Sequence, residues 1–194
     1  MSIFATAVGP VNQPVTYTSL TGTSAQVVKT GGAALVLTVG GQIYNGKPFY
    51  LTAQGFLKAH GTSQTFAMGF QGSAYSTSAF SGTQLGTGTA SGTLTAGTVY
   101  PWYLNATLFA DNTSGILSGW YTVADGATPT LKAPTVLAAT LTGITFGTNN
   151  AATGSNPLSS AQTPALQFAL TLTNSVADTT EVLSVTSFYA ANDN

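Results

Sequence analysis

Apolar and polar residues alternate with a period of two along most of this chain, and this alternation limits its fold more than any other feature. It is clearest in residues 47–74, where two alternating runs flank the polar segment 60–64. A period of two places successive side chains on opposite faces of a β-strand, whereas a helix requires a period near 3.6. No long window keeps a helical period with caps. The chain is therefore predicted to be all-β with minimal helix.

Three pairs of neighbouring runs are predicted to form β-hairpins, because a short polar segment joins the members of each pair. The first pair lies in residues 47–74, and the rest of the sheet is expected to be built around it. The second pair is 98–110 with 116–123, and the third is 165–173 with 181–190.

Together the runs predict about eight to ten short strands separated by Gly-rich turns. This pattern is typical of an antiparallel β-sandwich, here predicted to be of jelly-roll type. Residues 1–14 carry two prolines and no period, so we expect an extended N-terminal arm, with residues 15–194 forming a single domain. Segment 75–97 is expected to be a surface loop with one short strand near residues 90–95. The predicted core consists of Phe49, Leu51, Phe66, Met68, Trp102, Leu104, Leu108, Trp120, Phe168, Leu170 and Leu172.

Charged residues make up only 5% of the 194 residues, against roughly a quarter in an ordinary globular domain. The net charge is -1 and the chain has no arginine. Such a chain lacks the cations that neutralise nucleic-acid phosphates or contact anionic lipids, so we exclude both as partners. It also has no run of about 18 apolar residues that would span a bilayer. A surface of Thr, Ser, Gly and Asn is better suited to a crowded assembly, where charges would be desolvated.

The ionisable residues do not form a pattern that predicts catalysis. His60 is the only histidine and lies in a predicted turn, and there is no cysteine. Asp111 and Asp125 flank one predicted strand, which separates them by far more than the ~5–10 Å that a glycosidase needs. Asp178 and Glu181 form a D-x-x-E pattern that supplies only part of a Ca²⁺ site, and a loop ion there is left open. We therefore expect no enzyme, no cofactor and no catalytic or metal site.

Several large side chains fall outside the predicted core set. Tyr and Phe are enriched in subunit interfaces, and they also stack on sugar rings in sandwich grooves. The low charge content favours the interface. The candidate interface residues are Ile3, Phe4, Tyr44, Tyr50, Phe56, Tyr75, Tyr100, Tyr103 and Phe109.

Three stretches share a recognisable pattern of strands and turns: GKPFYLTAQGFLKAHGTSQTFAMGFQGSA, WYLNATLFADNTSGILSGWYTV and ALTLTNSVADTTEVLSVTSFYA. They contain an F-x-x-x-A-x-G strand, an N-A-x-L strand and a D-x-T-S-G-x-L-x-G turn. In these patterns the chain resembles a broad group of tailed-bacteriophage virion proteins. The resemblance covers residues 46–191, and segments 75–97 and 147–164 depart from it.

Members of that group are jelly-roll proteins that decorate or cement capsids, or form fibres. The resemblance implies a virion structural protein, namely a capsid decoration (cement) protein that binds the major capsid protein and its own copies as a homotrimer. Such a protein would be made in the host cytoplasm and lie at the capsid surface. The alternative is a receptor- or glycan-binding jelly-roll module of a tail or head fibre, which would contact a host-surface glycan.

Overall fold

The computed structural model describes residues 2–8, 15–17, 23–30, 32–39, 48–58, 64–74, 78–87, 93–110, 116–125, 135–140, 166–177 and 181–192. The regular elements in these ranges are strands: β1 (Ser2–Val8), β2 (Val15–Tyr17), β3 (Gln26–Val27), β4 (Lys29–Thr30), β5 (Ala33–Ala34), β6 (Val36–Val39), β7 (Pro48–Lys58), β8 (Phe66–Ala74), β9 (Thr83–Thr87), β10 (Val99–Ala110), β11 (Ile116–Asp125), β12 (Thr135–Thr140), β13 (Leu166–Asn174) and β14 (Val182–Asn192). No helix in the described ranges has the length and apolar character needed to cross a membrane.

Two large antiparallel sheets pack face to face as a β-sandwich, which confirms the predicted all-β class. The seven-stranded sheet has the order β1-β14-β7-β10-β11-β12, and β2 also pairs with β14. The five-stranded sheet has the order β3-β13-β8-β9, and β6 also pairs with β13. A separate two-stranded sheet joins β4 to β5.

Of the three predicted hairpins, only the one formed by β10 and β11 is present, with nine paired positions from Trp102↔Asp125 to Ala110↔Leu117. The prediction that residues 47–74 form a hairpin is wrong. β7 pairs with β10 and β14 in the seven-stranded sheet, whereas β8 pairs with β9 and β13 in the five-stranded sheet. The predicted closing hairpin is wrong for the same reason, since β13 and β14 also belong to different sheets.

The chain passes between the sheets where these hairpin turns were expected, and described residues beside the two connections contact each other. The Thr65 backbone N–H donates to Ser175 Oγ at 2.9 Å, and the Ser175 N–H donates to the Thr65 carbonyl at 2.9 Å. A backbone bond from Leu94 to the Gln64 carbonyl, 2.8 Å long, adds a third segment at this end of the sandwich. The short polar segments therefore connect the two sheets instead of turning within one.

The core lies between the sheets and is formed by the side chains that each alternating strand directs inward. All of the predicted core residues are buried except Trp120. The Phe49 and Phe168 rings, one from each sheet, lie 6.2 Å apart and join the two layers. Packing of this kind contributes roughly 1.5–3 kcal/mol for each large apolar side chain removed from water.

Trp120 is 45% exposed, so its assignment to the core is corrected. Its strand neighbour Gly119 pairs with Leu108 and takes the inward position. Gly119 has φ +149°, and a Cβ there would lie 2.0 Å from the Thr107 carbonyl oxygen. This inward position therefore accepts only glycine, and the alternation of β11 turns Trp120 to the opposite face.

Two further segments can be set beside their sequence-based predictions. The strand within residues 75–97 is β9, at Thr83–Thr87, whereas Leu94 in the described part of the predicted strand makes only an isolated bridge to Gln64. Residues 2–8 of the predicted arm are extended, and they pair with β14 of the same chain as an edge strand of the seven-stranded sheet.

Candidate functional site

The two sheets differ on the faces that they turn away from each other, here called their outer faces. β13 is buried on both sides, including the outward Gln167, Ala169 and Thr171. β10 instead alternates strictly, with buried inward residues and half-buried or exposed outward ones. The outward side chains of β10 in the seven-stranded sheet are therefore more accessible than those of β13 in the five-stranded sheet.

One row of cross-strand neighbours spans this outer face, and we call it the cross-strand row: Ile3, Ala191, Tyr50, Thr107, Trp120 and Val136. Ile3 is 53% exposed and Val136 is 83% exposed. Phe109 packs beside the row, with its ring 5.8 Å from that of Trp120. Among the described strand residues of this face, Lys58 at the end of β7 is the only charged one. Tyr50 and Thr107 are half-buried and Ala191 is buried, so the row is an uncharged, largely apolar band whose exposed surface lies toward its two ends.

A depression of about 370 Å³ lies on the same outer face, where β7, β10 and β14 meet. Its lining consists of Gln54, Gly55, Phe56, Pro101, Trp102, Tyr103 and Thr186. The pairing places Phe56 opposite Pro101 and Gln54 opposite Tyr103, so these four outward residues form a square.

A β-bulge in β14 supplies the remaining polar group of the depression. The register of β14 against β7 shifts between Val185 and Ser187, which leaves Thr186 as the extra residue. The Thr186 hydroxyl donates to the Gln54 carbonyl at 3.0 Å. Gly55 faces this irregularity, and a Cβ there would lie 1.8 Å from the Ser184 carbonyl oxygen. Bulges redirect side chains in this way at many binding sites.

Tyr103 is held beside a polar pair on the same face. The Asn105 side-chain amide donates to Thr52 Oγ1 at 3.0 Å. Burial raises the pKa of the Tyr103 phenol, while a hydrogen bond with Asn105 acts in the opposite direction. The phenol is therefore neutral at physiological pH and offers both a donor and an acceptor.

The structure separates the predicted interface residues into three groups. Ile3 and Phe56 are exposed, and Tyr50, Tyr103 and Phe109 are half-buried on the accessible outer face. Tyr44 and Tyr75 lie outside the described residues, as does the side chain of Phe4 in β1.

Tyr100 is corrected, because it is buried in the core and is only 7% exposed. Tyr100 faces inward, as does Trp102 two residues further along β10. Its hydroxyl oxygen accepts a hydrogen bond from the Thr95 backbone N–H at 2.7 Å. Hydrogen bonds from the Thr95 side chain and backbone lower the pKa of Tyr100.

The ionisable residues that were considered as catalytic or metal-binding candidates are spread over the chain. His60, Asp111 and Asp178 lie outside the described residues, and Asp125 ends β11 with its side chain also outside them. Glu181 is fully buried and accepts a hydrogen bond from the Asn174 side-chain amide. Among the residues that the structure describes, no group of three or more His, Cys, Asp or Glu side chains is placed to hold a metal ion.

Sequence reasoning missed the polar members of the depression, Gln54 and Thr186. Gln54 alternates with buried residues in β7, so its outward position follows from the pattern. The contribution of Thr186 depends on a bulge in a strand that lies more than a hundred residues away, and no local signal marks it.

Comparison with protein-family models gives no match, and comparison with curated proteins gives none either.

Proposed function

We propose that this chain is a structural protein of a bacteriophage virion, a capsid decoration (cement) protein that binds the major capsid protein and its own copies. It binds through the cross-strand row on the outer face of the seven-stranded sheet and stabilises the shell by mass action, because a partner that binds only the assembled state favours that state. The resemblance of residues 46–191 to virion proteins supports this class.

The order of strand pairing supports the jelly-roll form that this class uses. β1 and β2 pair with β14, β3 and β6 with β13, β7 with β10, and β8 with β9. Apart from the separate β4–β5 pair, the strands up to β8 thus pair with the strands from β9 onward in reverse order, as in one long antiparallel ribbon. Pairing of β14 with β7 and of β13 with β8 rolls that ribbon into two facing sheets. β11 and β12 extend the seven-stranded sheet beyond β10.

The observation that carries the binding role is the cross-strand row. Trp120 and Val136 lie on neighbouring strands as direct partners, and both are exposed. Neighbouring exposed apolar side chains mark interaction surfaces, and removing them from water is favourable. Because the face carries so little charge, packing it against another protein costs little desolvation.

The test uses particles of the phage that encodes the chain, assembled without it and then supplied with purified protein. Particles lacking the chain should release DNA at a lower temperature than complete particles, and the wild-type protein should restore the original temperature. Val136→Glu should fail to restore it, because the substitution places a charge in the cross-strand row.

Val176→Glu is the matched control, because Val176 is 40% exposed and lies off that face, after β13. It should restore the release temperature as the wild type does. Unchanged heat tolerance in particles lacking the chain, or full restoration by Val136→Glu, would refute the cement role. Sedimentation velocity of the purified chain tests the expected trimer separately.

A further inference from the structure

We propose that the depression between β7, β10 and β14 binds a neutral saccharide. This site lies on the same face as the cross-strand row but is made of different residues, and the saccharide role goes beyond shell binding.

The lining has the two kinds of group that a sugar requires. Phe56, Pro101 and Tyr103 supply ring surfaces on which the C–H face of a pyranose packs. The Gln54 amide supplies one acceptor and two donors, a set that matches two adjacent hydroxyl groups. Tyr103 adds a hydroxyl at the edge, and Thr186 adds an acceptor oxygen, because its hydroxyl proton already bonds the Gln54 carbonyl. A mostly apolar site with a few placed polar groups is the usual design of a small-molecule site.

The dimensions favour one or two sugar rings over a longer ligand. Cross-strand neighbours lie about 5 Å apart and next-nearest residues along a strand about 7 Å apart, so the square formed by Gln54, Phe56, Pro101 and Tyr103 is as wide as one pyranose. The volume of about 370 Å³ falls near the lower end of the roughly 300–1,000 Å³ range of ligand sites. An extended peptide would require a groove along the sheet.

The charges favour a neutral sugar. Tyr103 is the only ionisable residue of the lining, and its phenol is neutral at physiological pH. Lys58 lies two residues beyond Phe56 on the same face but does not line the depression. A carboxylated sugar therefore has no cation inside the site to offset its desolvation.

The geometry is held before any ligand arrives. The bulge places the Thr186 hydroxyl 3.0 Å from the Gln54 carbonyl oxygen, to which it donates a hydrogen bond. On the other side, Tyr103 has a hydrogen bond with Asn105, whose side chain is also hydrogen-bonded to Thr52. Thr186 lies on β14 and Tyr103 on β10, which are long strands inside the sheet and not loops. Groups fixed in this way lose little conformational entropy on binding.

The experiment is an NMR titration of the ¹⁵N-labelled full chain with maltose, cellobiose, lactose, 3′-sialyllactose and a proline-rich peptide. At least one of the three neutral disaccharides should shift the backbone amide signals of Gln54, Phe56, Tyr103 and Thr186 in a saturable manner. Phe56→Ala should weaken that binding roughly tenfold, because a stacking surface is lost. Thr186→Val, which keeps the side-chain shape, should weaken it severalfold.

Trp120→Ala is the matched control, because Trp120 is 45% exposed and Phe56 47% exposed on the same face. It should leave saccharide binding unchanged, while the Val136→Glu test reports on shell binding alone. The proposal is overturned if no neutral disaccharide shifts these signals, if the shifts lie outside the depression, or if only sialyllactose or the peptide produces them.

Discussion

The outer faces of β13 and β10 differ, although both strands lie inside their sheets and carry few charges. In β13 the outward Ala169 and Thr171 are as buried as the inward Phe168 and Leu170. In β10 the outward residues from Tyr103 to Phe109 remain half-buried. A sandwich needs burial on only one face of each sheet. The outer side of β13 is buried beyond that need, whereas the outer side of β10 stays accessible. The accessible face is where a partner or ligand gains most from binding.

The largest expected effect comes from placing a carboxylate on each outer face. Ala169→Glu should lower the free energy of unfolding by about 4 kcal/mol or more, because an unpaired charge is buried. Thr107→Glu, at a half-buried outward position of β10, should lower it by less than about 1 kcal/mol. Urea denaturation followed by tryptophan fluorescence measures both.

Ala169→Gln and Thr107→Gln are the controls that separate added volume from added charge. Equal losses from the two glutamate variants would show that the outer faces are covered alike, and the comparison between β13 and β10 would be lost.

A smaller effect is expected from removing one glutamine side chain from each face. Gln84 of β9 donates to the Gly86 carbonyl at 2.6 Å and, across the sheet, to Thr171 Oγ1 at 3.2 Å. Gln84→Ala should cost about 1–2 kcal/mol of unfolding free energy, because partly buried hydrogen bonds are lost. Gln54→Ala on the accessible face should cost less than about 0.5 kcal/mol.

The same denaturation experiment measures both glutamine variants. A larger loss for Gln54→Ala than for Gln84→Ala would mean that the depression is needed for folding, which contradicts its assignment as a surface free to bind.

Local alternation predicted which side of a strand is buried, but not which strand lies beside it. The β10–β11 hairpin followed from two alternating runs and the turn between them. The same kind of signal around residues 60–64 and 174–180 marks crossings between the sheets, because a short polar segment satisfies either geometry. Partner choice depends on contacts between distant residues, such as Leu57 with Leu183, and these leave no local trace.

The wrong assignments of Tyr100 and Trp120 have a related cause. Tyr100 shares the inward alternation of Trp102, so extending that pattern by two residues would have placed it in the core. Trp120 was assigned by its size, whereas its direction is set by the pairing of Gly119 with Leu108. The accessible aromatic surface was thus predicted in part, while the depression depends on the bulge in β14 and was not.

The smallest effect compares two tyrosines three positions apart on β10, one on each face. Hydrogen bonds from Thr95 lower the pKa of Tyr100, and burial raises the pKa of Tyr103, from a shared ordinary value of 10.0. Absorbance titration of the folded protein should therefore show Tyr100 ionising at lower pH than Tyr103. Tyr100→Phe should remove the earlier step, and Tyr103→Phe the later one.

The two tyrosines should also change stability with pH in opposite directions. Tyr103 has a raised pKa in the folded chain, so its contribution is complete below the unfolded pKa and is lost as pH rises through the folded value. Tyr100 has a lowered pKa, so its contribution is present above the unfolded value and is lost as pH falls through the folded one. Denaturation of the two phenylalanine variants across about pH 9 to 11 measures this. If Tyr103 ionised as readily as a free tyrosine, the outer face of β10 would be fully solvated, and the partial desolvation that prepares it for a partner would be absent.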